Sequence, residues 1–244
     1  MLSIAFLALP PAASLPSTDV KPRGYANQSV PERYRGRTIL NKPRGFKEKV
    51  VALTFDDGPD TKNTAKICGY LSRYNGKATF FVLGSYTVRN PKLVRYAAER
   101  GHVIGSHSWS HPSSPPKKAA GPEVWKTAHA IHKATGVWPS LFRPPYGIMN
   151  GRMAKVARTE GYGVVIWNRS GADAVGEPTA SEIAARVLKA RPGDVVLLHD
   201  GPKKAATVKA VPTILKGLNA KGYKFITVPE MLRKWDAYLK SKGK

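Results

Sequence analysis

Seven apolar runs, each followed by a segment of helical periodicity, leave this chain few folds to choose from. The first run, Val50 to Phe55, is continuous rather than alternating and reads as a strand buried on both faces. Further strands are expected at 77–82, 102–106, 140–143, 163–167, 194–199 and 223–228. Helices are expected over 61–74, 91–100, 122–135, 151–160, 179–190, 205–220 and 229–242. Strand-then-helix alternation implies parallel pairing through crossover helices. The expected fold is therefore α/β, a distorted, incomplete (β/α) barrel with about seven parallel strands. A length of 244 residues suffices for one large domain with its own core.

Polar residues gather where these strands end, and in parallel barrels the C-terminal strand ends build the site. Asp56 and Asp57 close the first strand, and Gly58-Pro59 then forces a turn. Adjacent carboxylates repel, so both stay ionised only with a cation or basic group against them. His107 and His111, about fifty positions on, have a spacing that suits metal ligation. Each feature alone has a bland explanation: Asp-Asp-Gly-Pro is usually a solvated turn, and two histidines four apart usually lie on a surface. Together, one aspartate and two histidines form a three-ligand set with a fourth position open, the pattern of catalytic zinc sites. Arg143 precedes the stiff Pro144-Pro145 pair, after which backbone amides are presented in fixed orientation. Another apolar strand ends in His199, and the loop after 163–167 carries Asp173.

The motifs TFDDGP, HSWSHP, RPPYG and LLHD occur in the order found in the polysaccharide deacetylases of carbohydrate esterase family four, which this chain resembles from about 49 to about 230. The resemblance implies Asp56 as general base and Asp57, His107 and His111 as metal ligands. It implies that Arg143 pairs with Asp56, that the Tyr146 amide helps hold the oxyanion, and that His199 is the general acid, oriented by Asp173. Leu198, Pro144, Tyr146 and Trp109 are the expected substrate contacts. The expected cofactor is a divalent metal, zinc first, with cobalt, nickel or manganese as alternatives. The family usually follows the aspartate matching Asp173 with a tryptophan that walls the groove, whereas here Ala174 follows. That change bears on substrate choice and leaves the metal set intact. The implied activity is removal of N-acetyl groups from N-acetylglucosamine-containing polysaccharide, of peptidoglycan or chitin type. Acetylxylan O-deacetylation on the same site is the alternative, and an inactive basic wall-polymer-binding protein is the alternative of another class.

Residues 1–17 read as a short signal or disordered segment, 18–48 as a basic N-terminal arm or linker, and 49–244 as the deacetylase domain. The apolar stretch near the N-terminus is too short for a transmembrane span, which needs about twenty residues. Secretion or cell-wall association is expected on this reading. Cys68, the single cysteine, is expected as a buried small residue, so no internal disulfide forms. A net charge of +24 draws the chain to polyanionic wall polymers. The basic residues are spread along the chain without a nucleic-acid-binding motif, so specific nucleic-acid recognition is not expected. A monomer acting on a poly- or oligosaccharide is expected. His102, Trp125, Trp138 and Trp235 are expected to pack, and His129 and His132 to lie on a solvated helix face.

Overall fold

Strand β2, Val50–Gly58, forms the centre of the molecule and is buried along its whole length except at Asp57. The computed structural model describes residues 28–244, so the expected signal segment and the start of the arm lie outside the described residues. The other strands are β1 Thr38–Ile39, β3 Thr79–Val82, β4 Val103–Ser106, β5 Leu141–Phe142, β6 Gly163–Val165, β7 Arg169–Ser170, β8 Asp194–His199 and β9 Lys224–Phe225. The helices are α1 Thr64–Ser72, α2 Gly84–Arg89, α3 Pro91–Glu99, α4 Lys117–Thr135, α5 Arg152–Thr159, α6 Ala180–Val187, α7 Ala205–Ala220 and α8 Val228–Lys240. Every strand pairing is parallel, in the order β1-β6-β5-β4-β3-β2-β8-β7, with β9 added to β2. The path ends at β1 and β7 without pairing them to each other, so the cylinder stays open. This is the expected incomplete barrel, with all seven expected strands present.

The two unexpected strands, β1 and β7, have two residues each, too few to carry a periodic signal. Residues 28–48 pack onto the barrel: Ile39 pairs in register with Val165, and Val30, Ile39 and Phe46 are buried. Arg33 pairs with Asp236 at 2.9 Å and Lys42 with Asp194 at 2.6 Å. Helix α4 starts five residues before the expected boundary at Pro122, whose ring fits a first helical turn but here sits inside the helix.

Strand parity divides the core. Val51, Leu53 and Phe55 of β2 face the surrounding helices, where Phe55 stacks on Phe80 at 5.2 Å between centroids. Val50 and Ala52 face the barrel interior with Phe81, Val103, Leu141, Val165 and Val195. Met231, Leu232 and Trp235 of α8, together with Val30, Ile39 and Phe46, belong to the same interior cluster. Each such side chain contributes roughly 1.5–3 kcal/mol when fully buried. The interior is thus packed solid, and the polar strand ends form one rim.

Candidate active site

Asp56 has the parity of Ala52 and Thr54, so its carboxyl enters the barrel mouth, where only 2% of the residue is exposed. Arg143, directly after β5 and fully buried, meets it there. Arg143 Nη1 donates to Asp56 Oδ1 at 2.8 Å and to Thr54 Oγ1 at 2.7 Å, while Nε donates to the Val165 carbonyl at 3.2 Å. The guanidinium also lies 4.1 Å from the Phe81 ring centroid. Burial raises the Asp56 carboxyl above its ordinary value, against the pull of the Arg143 charge and hydrogen bond. Removing one partner of such a pair leaves an uncompensated buried charge, at a cost of about 3–5 kcal/mol.

Simple alternation would send Asp57 to the opposite face. The register of β2 against β3 shifts between Asp56 and Gly58, and Asp57 adopts φ +70°, which swings its side chain back to the rim. Its Oδ1 lies 3.5 Å from His107 Nε2 and 3.3 Å from His111 Nε2. All three ligand atoms fall within 4.8 Å of one another. His107 Nδ1 lies 2.8 Å from the Arg143 carbonyl. A carbonyl only accepts, so Nδ1 carries the proton and Nε2 presents its lone pair. Burial, opposed by the Asp57 charge, lowers the His107 pKa to about 3 and keeps the ring neutral. Asp57 Oδ1 is buried without a hydrogen-bond partner. An orphaned acceptor facing the His107 lone pair and the His111 ring nitrogen is a donor set that a divalent cation satisfies, so these residues fit the expected metal.

The loop carrying His111 is held by a residue the sequence did not single out. Glu123 of α4 accepts from the Trp109 and Ser110 amides at 2.8 and 2.9 Å and from the Ser110 hydroxyl at 2.7 Å. Ser108 and His111 sit at φ +74° and +64°, and Ser108 Oγ accepts from the His111 amide at 3.0 Å. Non-glycine residues in this region cost about 1–3 kcal/mol each and gather at functional sites.

His199 ends β8 in register with Asp56. Its Nδ1 lies 2.8 Å from Asp173 Oδ1, while Asp173 Oδ2 accepts from the His199 amide at 2.8 Å and the Thr207 hydroxyl at 2.7 Å. Lys204 Nζ donates to the Asp173 carbonyl at 2.9 Å. Burial alone would lower the His199 pKa, but the Asp173 hydrogen bond and charge, with Asp56 and Asp57 behind it, hold it above its ordinary value. Asp173 is pulled below its own ordinary value by the same contact, despite burial. Asp200, also missed from the sequence, is fully buried beneath the rim, accepts from the Thr64 hydroxyl and lies against Gly58. Burial foremost, then the charges of Asp57 and Asp56, push it up to about 7.

The expected substrate contacts divide. Tyr146 is 65% exposed, at φ +58°, with its ring centroid 4.6 Å from that of His111. Pro144 is buried and shapes the turn, its carbonyl accepting from Gly147 N–H at 3.0 Å. Leu198 is corrected: it is fully buried in the outer cluster with Ile183 and Val187, and parity gives Leu197 the face shared with His199. Trp109 is half-buried and turns to α2 and α4, where a Cβ on Gly84 would come within 2.5 Å of its ring. Arg169 of β7 lies 3.5 Å from Asp194 at the opposite end of β8 from His199. Ala174 is exposed and supplies no wall. Trp167, unremarked in the sequence, lies where a Cβ on Gly147 would come within 2.9 Å of it.

Residues 44–165 match the family model described as polysaccharide deacetylase. A peptidoglycan-N-acetylglucosamine deacetylase of Bacillus cereus (strain ATCC 14579) is 35% identical over 227 residues, covering 88% of this chain and 96% of that protein. The peptidoglycan-N-acetylglucosamine deacetylase PgdA of Listeria monocytogenes is 38% identical over 210 residues, covering 83% of this chain and 43% of that longer protein. The crystal structure of the Bc1960 peptidoglycan N-acetylglucosamine deacetylase superimposes with a TM-score of 0.74 at 34% identity, covering 82% of this chain and 94% of that one. The chain therefore belongs to the polysaccharide deacetylase family.

Proposed function

We propose that this protein is a metal-dependent hydrolase that removes N-acetyl groups from N-acetylglucosamine in peptidoglycan, acting as a secreted or wall-associated enzyme. The observation that carries the reading is the convergence of Asp57, His107 and His111, with Asp57 Oδ1 unpartnered, beside the Asp56–Arg143 and His199–Asp173 pairs on one rim. Its relatives' substrates support peptidoglycan ahead of chitin-type polymers or acetylxylan.

Zinc, or cobalt, nickel or manganese, held by Asp57, His107 and His111 would acidify water and polarise the acetyl carbonyl. Asp56 accepts the proton of the attacking water, and Arg143 fixes the carboxylate in position through its 2.8 Å hydrogen bond. Pro144 and Pro145 have no N–H, so the first amide after Arg143 is that of Tyr146, which would donate to the oxyanion. His199, kept protonated by Asp173, gives its proton to the departing sugar amine. Acetate and the free amine result. Retention of the base, acid, arginine and ligand set weighs against an inactive wall-binding role.

The test is acetate release from N-acetylated peptidoglycan glycan, with elemental analysis of the purified protein. Bound divalent metal, loss of activity with EDTA and recovery with zinc or cobalt are expected. Full turnover in metal-stripped protein would overturn the metal reading. Release from acetylxylan alone would overturn the substrate.

A further inference from the structure

We propose that the groove between α2 and α4 is a second glycan-binding site, which takes a carboxylate-bearing sugar of a polymer strand outside the reaction centre. Trp109 and Trp125 line it, Val88 is 52% exposed at its lip, and its volume is about 320 Å³. That is the low end of small-ligand sites, about 300–1,000 Å³, which pair apolar and aromatic walls with a few placed polar groups.

The polar groups here are all cationic or neutral. Lys126, His129 and Lys133 stand at i, i+3 and i+7 on α4, a spacing that aligns them on one exposed face. The Lys126 ammonium lies 6.0 Å from the Trp109 ring centroid. His129 Nδ1 lies 2.8 Å from the Trp125 carbonyl, so it donates there and leaves Nε2 for another partner. Among the described residues that line the groove there is no carboxylate. Glu123, close by on the same helix, has both oxygens engaged by the 108–111 loop. Indole faces stack on apolar sugar faces, and the lysines complement an acidic substituent on the same ring.

The 107–111 loop and the charge of the lining argue for the occupant. Trp109 lies between His107 and His111, so its loop faces the metal site on one side and the groove on the other. The same loop thus carries metal ligands and a groove wall, and the cations of that wall call for a sugar polymer with acidic substituents. A glycan alternating N-acetylglucosamine with the carboxylate-bearing N-acetylmuramic acid has the chemistry required. That choice of polymer rests on the function proposed above, whereas the groove does not.

Calorimetric titration of the full chain after EDTA treatment tests this without turnover, so groove and deacetylase readings fail separately. The ligands are a peptide-free N-acetylglucosamine/N-acetylmuramic acid oligomer, an N-acetylglucosamine oligomer of equal length, and polyglutamate of matched charge. Lys126→Glu/Lys133→Glu, a surface change, should weaken the acidic oligomer at least tenfold and the neutral one less than twofold. Polyglutamate should bind the wild type at least tenfold more weakly than the acidic oligomer. Unchanged affinity of the acidic oligomer for the double variant would overturn the site. Polyglutamate binding as tightly as the glycan would overturn its sugar specificity and leave an unspecific cationic patch.

Discussion

Asp56 and Asp57 are adjacent carboxylates with separate surroundings. Parity and Arg143 claim the first, while a register shift and positive φ deliver the second to His107 and His111. Asp56→Asn should therefore keep metal, by elemental analysis, yet turn over about a hundredfold or more slowly, the usual loss for a general base. Wild-type rates would mean that another group takes the proton. His111→Ala should lose metal and activity while circular dichroism stays native, because His111 lies outside the three core clusters. Asp173→Asn tests the acid. With Asp173 present the folded His199 pKa is raised, so the pair stabilises the fold fully below the unfolded value of about 6.5 and ceases to do so as pH rises through the folded value. On the mechanism proposed above, His199 acts only while protonated. Removing the carboxylate takes away the largest upward influence on the His199 pKa and leaves burial opposed only by Asp56 and Asp57, so the alkaline limb of the pH–rate profile should move to lower pH. An unmoved limb would assign it to a different group.

At the scale of elements, the strands were legible because each is a short apolar run, and β2, β4, β5 and β8 end at or close to the rim residues Asp56, His107, Arg143 and His199. Motif spacing brought one aspartate together with the two histidines, and only the family resemblance chose Asp57 over Asp56. What the sequence could not convey depends on tertiary packing. Helix α2 has six residues, too few for a periodic signal, and is held by close packing of Gly84 against Trp109 and Thr127. Leu198 was misplaced because parity is countable only once the face of one strand residue is known. Glu123 gave no sign of its role, since its three bonds run to backbone and side-chain atoms of a loop 13 and 14 residues away. Glu123→Ala should free that loop and, as partners behind metal ligands typically do, reduce metal affinity about 10–100-fold. A competition titration against a chelator measures it, with an unchanged constant showing that the φ-constrained loop holds itself.

For the whole molecule, the charge sets what the fold does not. Even if each of the 16 carboxylates neutralised one of the 40 lysines and arginines, 24 positive charges would remain. Some cations have structural roles, as Arg33 and Lys42 do in fastening residues 28–48 to α8 and β8. Such ties cannot absorb the excess, and the stripe on α4 shows where part of it meets an aromatic surface. The excess therefore acts as a field, and on the function proposed above it would draw the protein to anionic wall polymers before the rim engages any one sugar. Exposed electrostatics of this kind weaken as the Debye length falls from about 10 Å at 0.1 M salt to about 3 Å at 1 M. Attachment through the cleft alone, where Asp56 and Arg143 are buried and paired, would respond far less. Cosedimentation with purified peptidoglycan-containing walls should drop steeply across that salt range, whereas cosedimentation with neutral chitin should change little. Equal salt dependence on both materials, or none on walls, would remove the field from the account and leave wall association to the cleft and groove.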